Sequence, residues 1–136
     1  IGEEMSEFPA PQGVFLVVKP EFSCPTGEAY RSYDESPLAV HGGLAAFRAA
    51  MPGNYAAEMY NVFQKLYADQ RIESVCGRLT ELGARGASLT GSGSACFGVF
   101  DERAAAERAS GEFPGCFTAV CSAAEQGIFI SEREVL

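Results

Sequence analysis

The chain has 136 residues, enough for one domain with a real hydrophobic core. Hydrophobic residues make up 47% and charged residues 21%, the balance of a folded globular chain. Eighteen acidic against ten basic residues leave a net charge of −8, which argues against a nucleic-acid partner, because phosphates must be met by a Lys/Arg patch.

Taken in chain order, residues 1–13 are polar, carry Pro and Gly, and begin without Met. They are expected to be a linker or interdomain start, with the chain an excised piece of a longer protein. The apolar run VFLVVKP (14–20) predicts a strand that Pro20 stops. In 23–35, a small polar residue, Pro, Thr and then Glu mark a helix start. Residues 43–51 predict a short helix ending before Pro52. Residues 55–68 predict a helix with Met59, Tyr60, Phe63, Leu66 and Tyr67 along one stripe.

Ile72, Val75, Cys76, Leu79 and Leu82 follow helical spacing, with Asp69 as N-cap and Gly83 as the stop. Residues 86–90 and 95–100 predict two strands around a Gly-rich loop. Asp101 is placed to cap an Ala-rich helix over 102–110, and 115–123 form a last strand. The domain therefore runs 14–123, with 124–136 as a tail. The order reads β-α-β-β-α-β, an α+β ferredoxin-like antiparallel sheet with extra helices in the first crossover. Its strands show little polar alternation, so both sheet faces should be covered. A homodimer is compatible with this plan.

Five cysteines, an odd number without a C-x-x-C, and one His do not suit a zinc site. Reduced thiols acting as small core hydrophobes are expected, in the cytoplasm. No apolar run approaches the roughly 18 residues of a membrane span, and no signal peptide is visible. No metal ligands and no catalytic group are assigned. His41 reads as a loop residue. Cys24, before Pro25 near a helix start, could have a lowered thiol pKa, although a small packing residue is the simpler reading.

The loop TGSG (90–93) raises the question of phosphate. A Walker loop needs a Lys that is absent, and a dinucleotide fingerprint needs a following helix where a strand is expected. A backbone nest remains: Gly91 and Gly93 let amides approach an oxyanion, and Thr90, Ser92 and Ser94 add hydroxyls. The competing reading is a plain hairpin turn, which local chemistry alone favours. Such a loop holds neither base nor cation, so it could not run phosphoryl transfer unaided.

With its flanks, GARGASLTGSGSACFGVF resembles the third motif of the GHMP small-molecule kinases. VFLVVKPEFSCPTGEAYRSYD (14–34) resembles the segment of 4-diphosphocytidyl-2-C-methyl-D-erythritol kinases in which a strand leads to a Pro-Thr helix start and an aromatic residue. EMYNVFQKL (58–66) resembles that family's Phe-Asn-Asp-Leu-Glu helix, with Asn61 kept and Val62 and Gln64 at its acidic positions. The resemblance covers residues 12–121, but only the family's C-terminal domain.

It implies a ferredoxin-like domain, ATP and Mg²⁺ in the intact enzyme and none held tightly here, and phosphorylation of the 2-hydroxyl of a cytidine-diphosphate-linked methylerythritol. The missing N-terminal domain would supply the nucleotide loop and the catalytic residues, so this chain alone should be inactive. Thr26 and Tyr30 fall on substrate-binding positions, Tyr30 as a platform stacking on cytosine at about 1–3 kcal/mol. Thr90, Gly91, Ser92 and Gly93 fall on the phosphate loop. Each has a plainer reading: Tyr30 as a buried or interdomain aromatic, Thr26 as an N-cap, Lys19 as a solvated charge rather than a phosphate sensor, and Asn61 as an exposed helix residue or a polar bridge to the loop. A homoserine-type kinase domain and a free-standing ferredoxin-like binding module are the alternatives.

Overall fold

The computed structural model describes residues 7–35 and 43–124. His41 and the ends of the chain lie outside them. Four strands, β1 (Val14–Lys19), β2 (Gly86–Leu89), β3 (Cys96–Phe100) and β4 (Phe117–Ser122), form one sheet in the order β2-β3-β1-β4. Every neighbouring pair is antiparallel. This is the ferredoxin-like arrangement that the element order predicts.

One sheet face carries the main core. Helix α4 (Gln70–Glu81) and helix α5 (Arg103–Ser110) pack on it, burying Leu16, Val18, Ile72, Leu79, Phe100 and Ala106 together. The period-2 alternation of β1 sends Leu16 and Val18 to this face and Phe15 and Val17 to the other. Gly98, opposite Leu16, lets the helix sit close. A Cβ there would stand 3.0 Å from Ala84 Cβ and 3.2 Å from Leu79 Cδ2.

Helix α4 begins where expected, with the Asp69 carboxylate accepting from Arg71 N at 2.8 Å. It ends before Gly83, whose φ of +108° reverses the chain so that Ala84 N reaches Leu79 O at 3.1 Å. The second sheet face is covered by helix α2 (Leu44–Ala50) and a 3₁₀ turn (Tyr55–Glu58), which bury Tyr55, Ala56 and Val99 against Phe15, Phe47 and Phe97. Covering is incomplete toward β4, where Phe117 is 68% exposed.

Two expectations are corrected. The single helix over 55–68 is instead the 3₁₀ turn, an extended break at Met59–Asn61 and helix α3 (Val62–Tyr67). Asn61 is the cause: its side-chain oxygen takes the N–H groups of Phe63 and Gln64, which starts a new helix rather than continuing one. Asp101 does not cap α5; Glu102 stands at that position, and Asp101 pairs with Arg85 at 2.8 Å. The five thiols are free, with Cys76 and Cys96 buried, Cys24 and Cys116 half-buried and Cys121 exposed. Among the described residues no helix is long and apolar enough to cross a membrane.

Candidate functional site

The Gly-rich segment closes the β2–β3 hairpin. Thr90 N donates to Ala95 O at 2.9 Å and Gly93 N to Thr90 O at 3.1 Å. Gly91 (φ +55°) and Gly93 (φ +87°) both take left-handed backbone. Gly93 has a second constraint, since a Cβ would meet Leu89 Cδ1 at 3.0 Å and Cys24 Sγ at 3.1 Å. So far this is a turn.

The surrounding polar side chains make it more than that. Helix α1 (Thr26–Glu35) starts beside the loop, and the Thr26 hydroxyl shares a 2.9 Å hydrogen bond with the Ser92 hydroxyl. Thr26 is the first helical residue rather than the cap; the cap carbonyl is that of Pro25, which accepts from Ala29 N. From α3, the Asn61 amide nitrogen donates to Leu89 O at 2.8 Å and Gly91 O at 2.9 Å. Tyr67 OH donates to Ser92 O at 2.8 Å, and Gln64 Oε1 accepts from Leu89 N at 2.9 Å. Gln64 thus keeps an acceptor where the resembling family has an acid.

Lys19 is not a solvated charge. Its ammonium donates to Pro20 O (2.7 Å), Phe22 O (3.2 Å) and the Ser94 hydroxyl (2.9 Å), which uses its three donors. Ser94, 1% exposed, also donates to Phe22 O. The end of β1 and the far side of the loop are therefore clasped together. Arg71, paired with Asp69, lies over the Phe22 ring at 4.0 Å and covers the same turn.

The peptide planes follow from these contacts. In a trans peptide, C=O and N–H point opposite ways. Thr90 O faces Gly93 N inside the turn, and Gly91 O faces Asn61, so the N–H groups of Gly91 and Ser92 turn away from both. The hydroxyls of Thr90 and Ser92 belong to the same turn, the Ser92 hydroxyl being shared with Thr26.

Tyr30 lies one helical turn after Thr26 on the same side of α1. It is 57% exposed, which discards the core reading, and its ring stands edge-on to Phe63 with centroids 5.0 Å apart. Phe63 in turn stacks on Tyr67 at 6.5 Å. An exposed ring and the loop are thus joined through α3. Beside the loop lies a cleft of about 490 Å³ between Phe47, Tyr55, Met59, Thr90, Gly91 and Phe97. A smaller hollow of about 200 Å³ lies between Cys24, Glu28, Tyr67, Asp69 and Arg71.

At the Cys24 thiol facing that hollow, burial first and then the nearby Asp69 carboxylate push the pKa up, which agrees with the simpler reading of a small packing residue. The sequence pattern places Tyr67 on a packing stripe and Lys19 on the surface. Only the 75-residue jump from Lys19 to Ser94, or the reach from Tyr67 to Ser92, would have revealed either.

The chain is thus an α+β ferredoxin-like domain with a Thr-Gly-Ser-Gly loop held by surrounding side chains beside an exposed aromatic. The model of the GHMP kinases C-terminal family matches residues 38–118, and the chain belongs to that family. It is 31% identical over 121 residues to a 4-diphosphocytidyl-2-C-methyl-D-erythritol kinase of Xanthomonas euvesicatoria pv. vesicatoria (strain 85-10), covering 88% of this chain and 38% of that protein. The enzyme of the same name from Clostridium novyi (strain NT) is 31% identical over 115 residues, covering 79% and 41%.

Among solved structures, a 4-(cytidine 5'-diphospho)-2C-methyl-D-erythritol kinase superposes with a TM-score of 0.62 at 22% identity, covering 89% of this chain and 47% of that one. A homoserine kinase from Cytophaga hutchinsonii also gives 0.62, at 17% identity over 90% and 45%. Both share the fold. The chain spans about two-fifths of the length of its curated relatives.

Proposed function

We propose that this chain is the substrate-side, C-terminal domain of an ATP-dependent 4-diphosphocytidyl-2-C-methyl-D-erythritol kinase, working with an N-terminal domain. The observation that carries the reading is the pairing of a phosphate-suited loop with Thr26 and Tyr30 on one helix that touches it. Tyr30 offers an exposed ring for the cytosine, Thr26 sits between that ring and the loop, and Gly91–Gly93 close the phosphate end. The outward amides and the Thr90 and Ser92 hydroxyls fit a phosphate group of ATP. In this reading the ligands for Mg²⁺ would come from the rest of the intact protein. So would the base.

The test is phosphoryl transfer to the cytidine substrate by the intact protein and by this chain alone. Turnover is expected only from the first, and turnover by the chain alone would end this division of labour. Tyr30→Ala in the intact enzyme should raise KM for the cytidine substrate roughly 5- to 150-fold, the equivalent of about 1–3 kcal/mol of stacking. An unchanged KM removes Tyr30 from the site. Homoserine is the competing acceptor, since the homoserine kinase structure superposes equally well; its phosphorylation in preference to the cytidine substrate would replace this reading.

A further inference from the structure

Asn61 makes four hydrogen bonds, the full set that a carboxamide arranged this way can be asked for. Its oxygen accepts from Phe63 N at 2.9 Å and Gln64 N at 3.2 Å, and its nitrogen donates to Leu89 O at 2.8 Å and Gly91 O at 2.9 Å. The oxygen side starts α3. The nitrogen side pins the loop. Among common N-cap residues only Asn does both: Ser and Asp supply the cap oxygen but have no amide donor.

The consequence lies one peptide further on. Gly91 has left-handed backbone and meets nothing within 4 Å of where its Cβ would be, so local packing does not fix its plane. What fixes it is the bond from Asn61 to Gly91 O. Because that peptide is trans, holding the carbonyl toward α3 aims the Ser92 N–H the other way. Tyr67, from the last turn of the same helix, fixes the next carbonyl, Ser92 O. The two carbonyls that bracket Ser92 are thus set by one short helix. That helix also supports Tyr30 through Phe63.

We propose that Asn61 is a positioning residue for phosphoryl transfer: it orients the Ser92 amide toward the transferred or adjacent phosphate and ties the loop to the helix that supports the base platform. This rests on the kinase reading above. It assigns no chemistry to Asn61, whose amide touches only protein.

The test uses Asn61→Ser in the intact enzyme, with Asn61→Asp as a second variant, since both keep an oxygen to cap α3. A mere cap would lose a little thermal stability and leave the kinetics alone. A positioning role predicts that kcat falls roughly 10- to 100-fold, below the 10²–10³ seen when an oxyanion donor is deleted outright. KM for the cytidine substrate should stay within about threefold, because Tyr30 stays in place. A second readout does not depend on turnover: amide resonances of Gly91 and Ser92 in ¹⁵N-labelled protein titrated with inorganic pyrophosphate. Wild type should show saturable shifts at both, and Asn61→Ser should lose the Ser92 response. Kinetics within twofold of wild type in the Ser variant, or an undiminished Ser92 shift, overturns the proposal. A wild-type enzyme that binds pyrophosphate at Ser92 but transfers nothing to the cytidine substrate would instead overturn the functional reading and leave the positioning of the amide standing.

Discussion

Replacing Lys19 with Met removes three hydrogen bonds while keeping the stem's length and packing. A hydrogen bond from a charged donor contributes about 1.5–3 kcal/mol. The three cannot be summed, because they share one ammonium. Ser94 still donates to Phe22 O in the variant, so that carbonyl keeps a partner. Pro20 O is left needing another donor, and the Ser94 hydroxyl loses its only incoming bond. The expected loss is therefore about 2–3 kcal/mol, nearer one charged bond than three. Urea unfolding followed by far-UV circular dichroism measures it: the midpoint should fall with an unchanged slope, because the variant alters stability without altering the surface exposed. A loss under about 0.5 kcal/mol would place Lys19 among ordinary surface residues. Unchanged stability with a selective loss of phosphate affinity would refute the clasp and restore the sensor.

Two further outcomes follow from single contacts. Gly86→Ala puts a methyl group 2.5 Å from Ala56 O, backbone that cannot swing aside, so the 3₁₀ turn must lift from β2 at a cost of about 1–3 kcal/mol or more, read as a lower Tm; a Tm equal to wild type would mean the turn does not rest on the sheet. Asp69 is held at about 2, below the ordinary aspartate value, first by its side-chain bond to Arg71 and then by the Arg71 backbone amide. Its folded value is depressed, so its contribution is present above the unfolded value near 4 and is lost as pH falls toward 2. A carboxyl ¹³C titration should show the low inflection in wild type and a rise toward the ordinary value in Arg71→Ala; an ordinary value in wild type contradicts the ion pair.

The elements that the sequence made legible are those whose signal is local. Helix α4 carries its cap, its apolar period and its stop within fifteen residues, and Asp69 and Gly83 both act as their types suggest. The strand order needs only the chain-order pattern and the antiparallel hairpin through residues 90–94. The failures share a cause. Periodicity could not separate one helix over 55–68 from a turn and a helix, because burying Tyr55 and packing Met59 and Phe63 satisfies both. Asn61, a poor interior helix residue but a strong cap, was the mark of the break. Asp101 had the right chemistry for a cap, and Arg85, sixteen residues back in sequence, claimed it first. The partners of Lys19 and Tyr67 come from the far side of the domain, and no window of sequence contains them.

The same distinction bears on what the loop is for. Reversing a chain between two strands requires only the Thr90–Ala95 and Gly93–Thr90 bonds, and glycine is the default residue for that task. Here five further side chains, Lys19, Thr26, Asn61, Gln64 and Tyr67, converge on residues 89–94 from three other parts of the fold. Each gives up rotamer freedom to do so, up to about 2 kcal/mol for a long polar side chain. Chain reversal alone does not need those bonds, although they also stabilise the fold, as at Lys19. Fixing the direction of two amides does need them, because a preorganised donor stabilises an anion without having to reorient when charge develops. The glycines allow the loop its shape. The side chains around it hold it in one, and that second property, invisible in TGSG itself, is what the proposed phosphate-facing role requires beyond a turn.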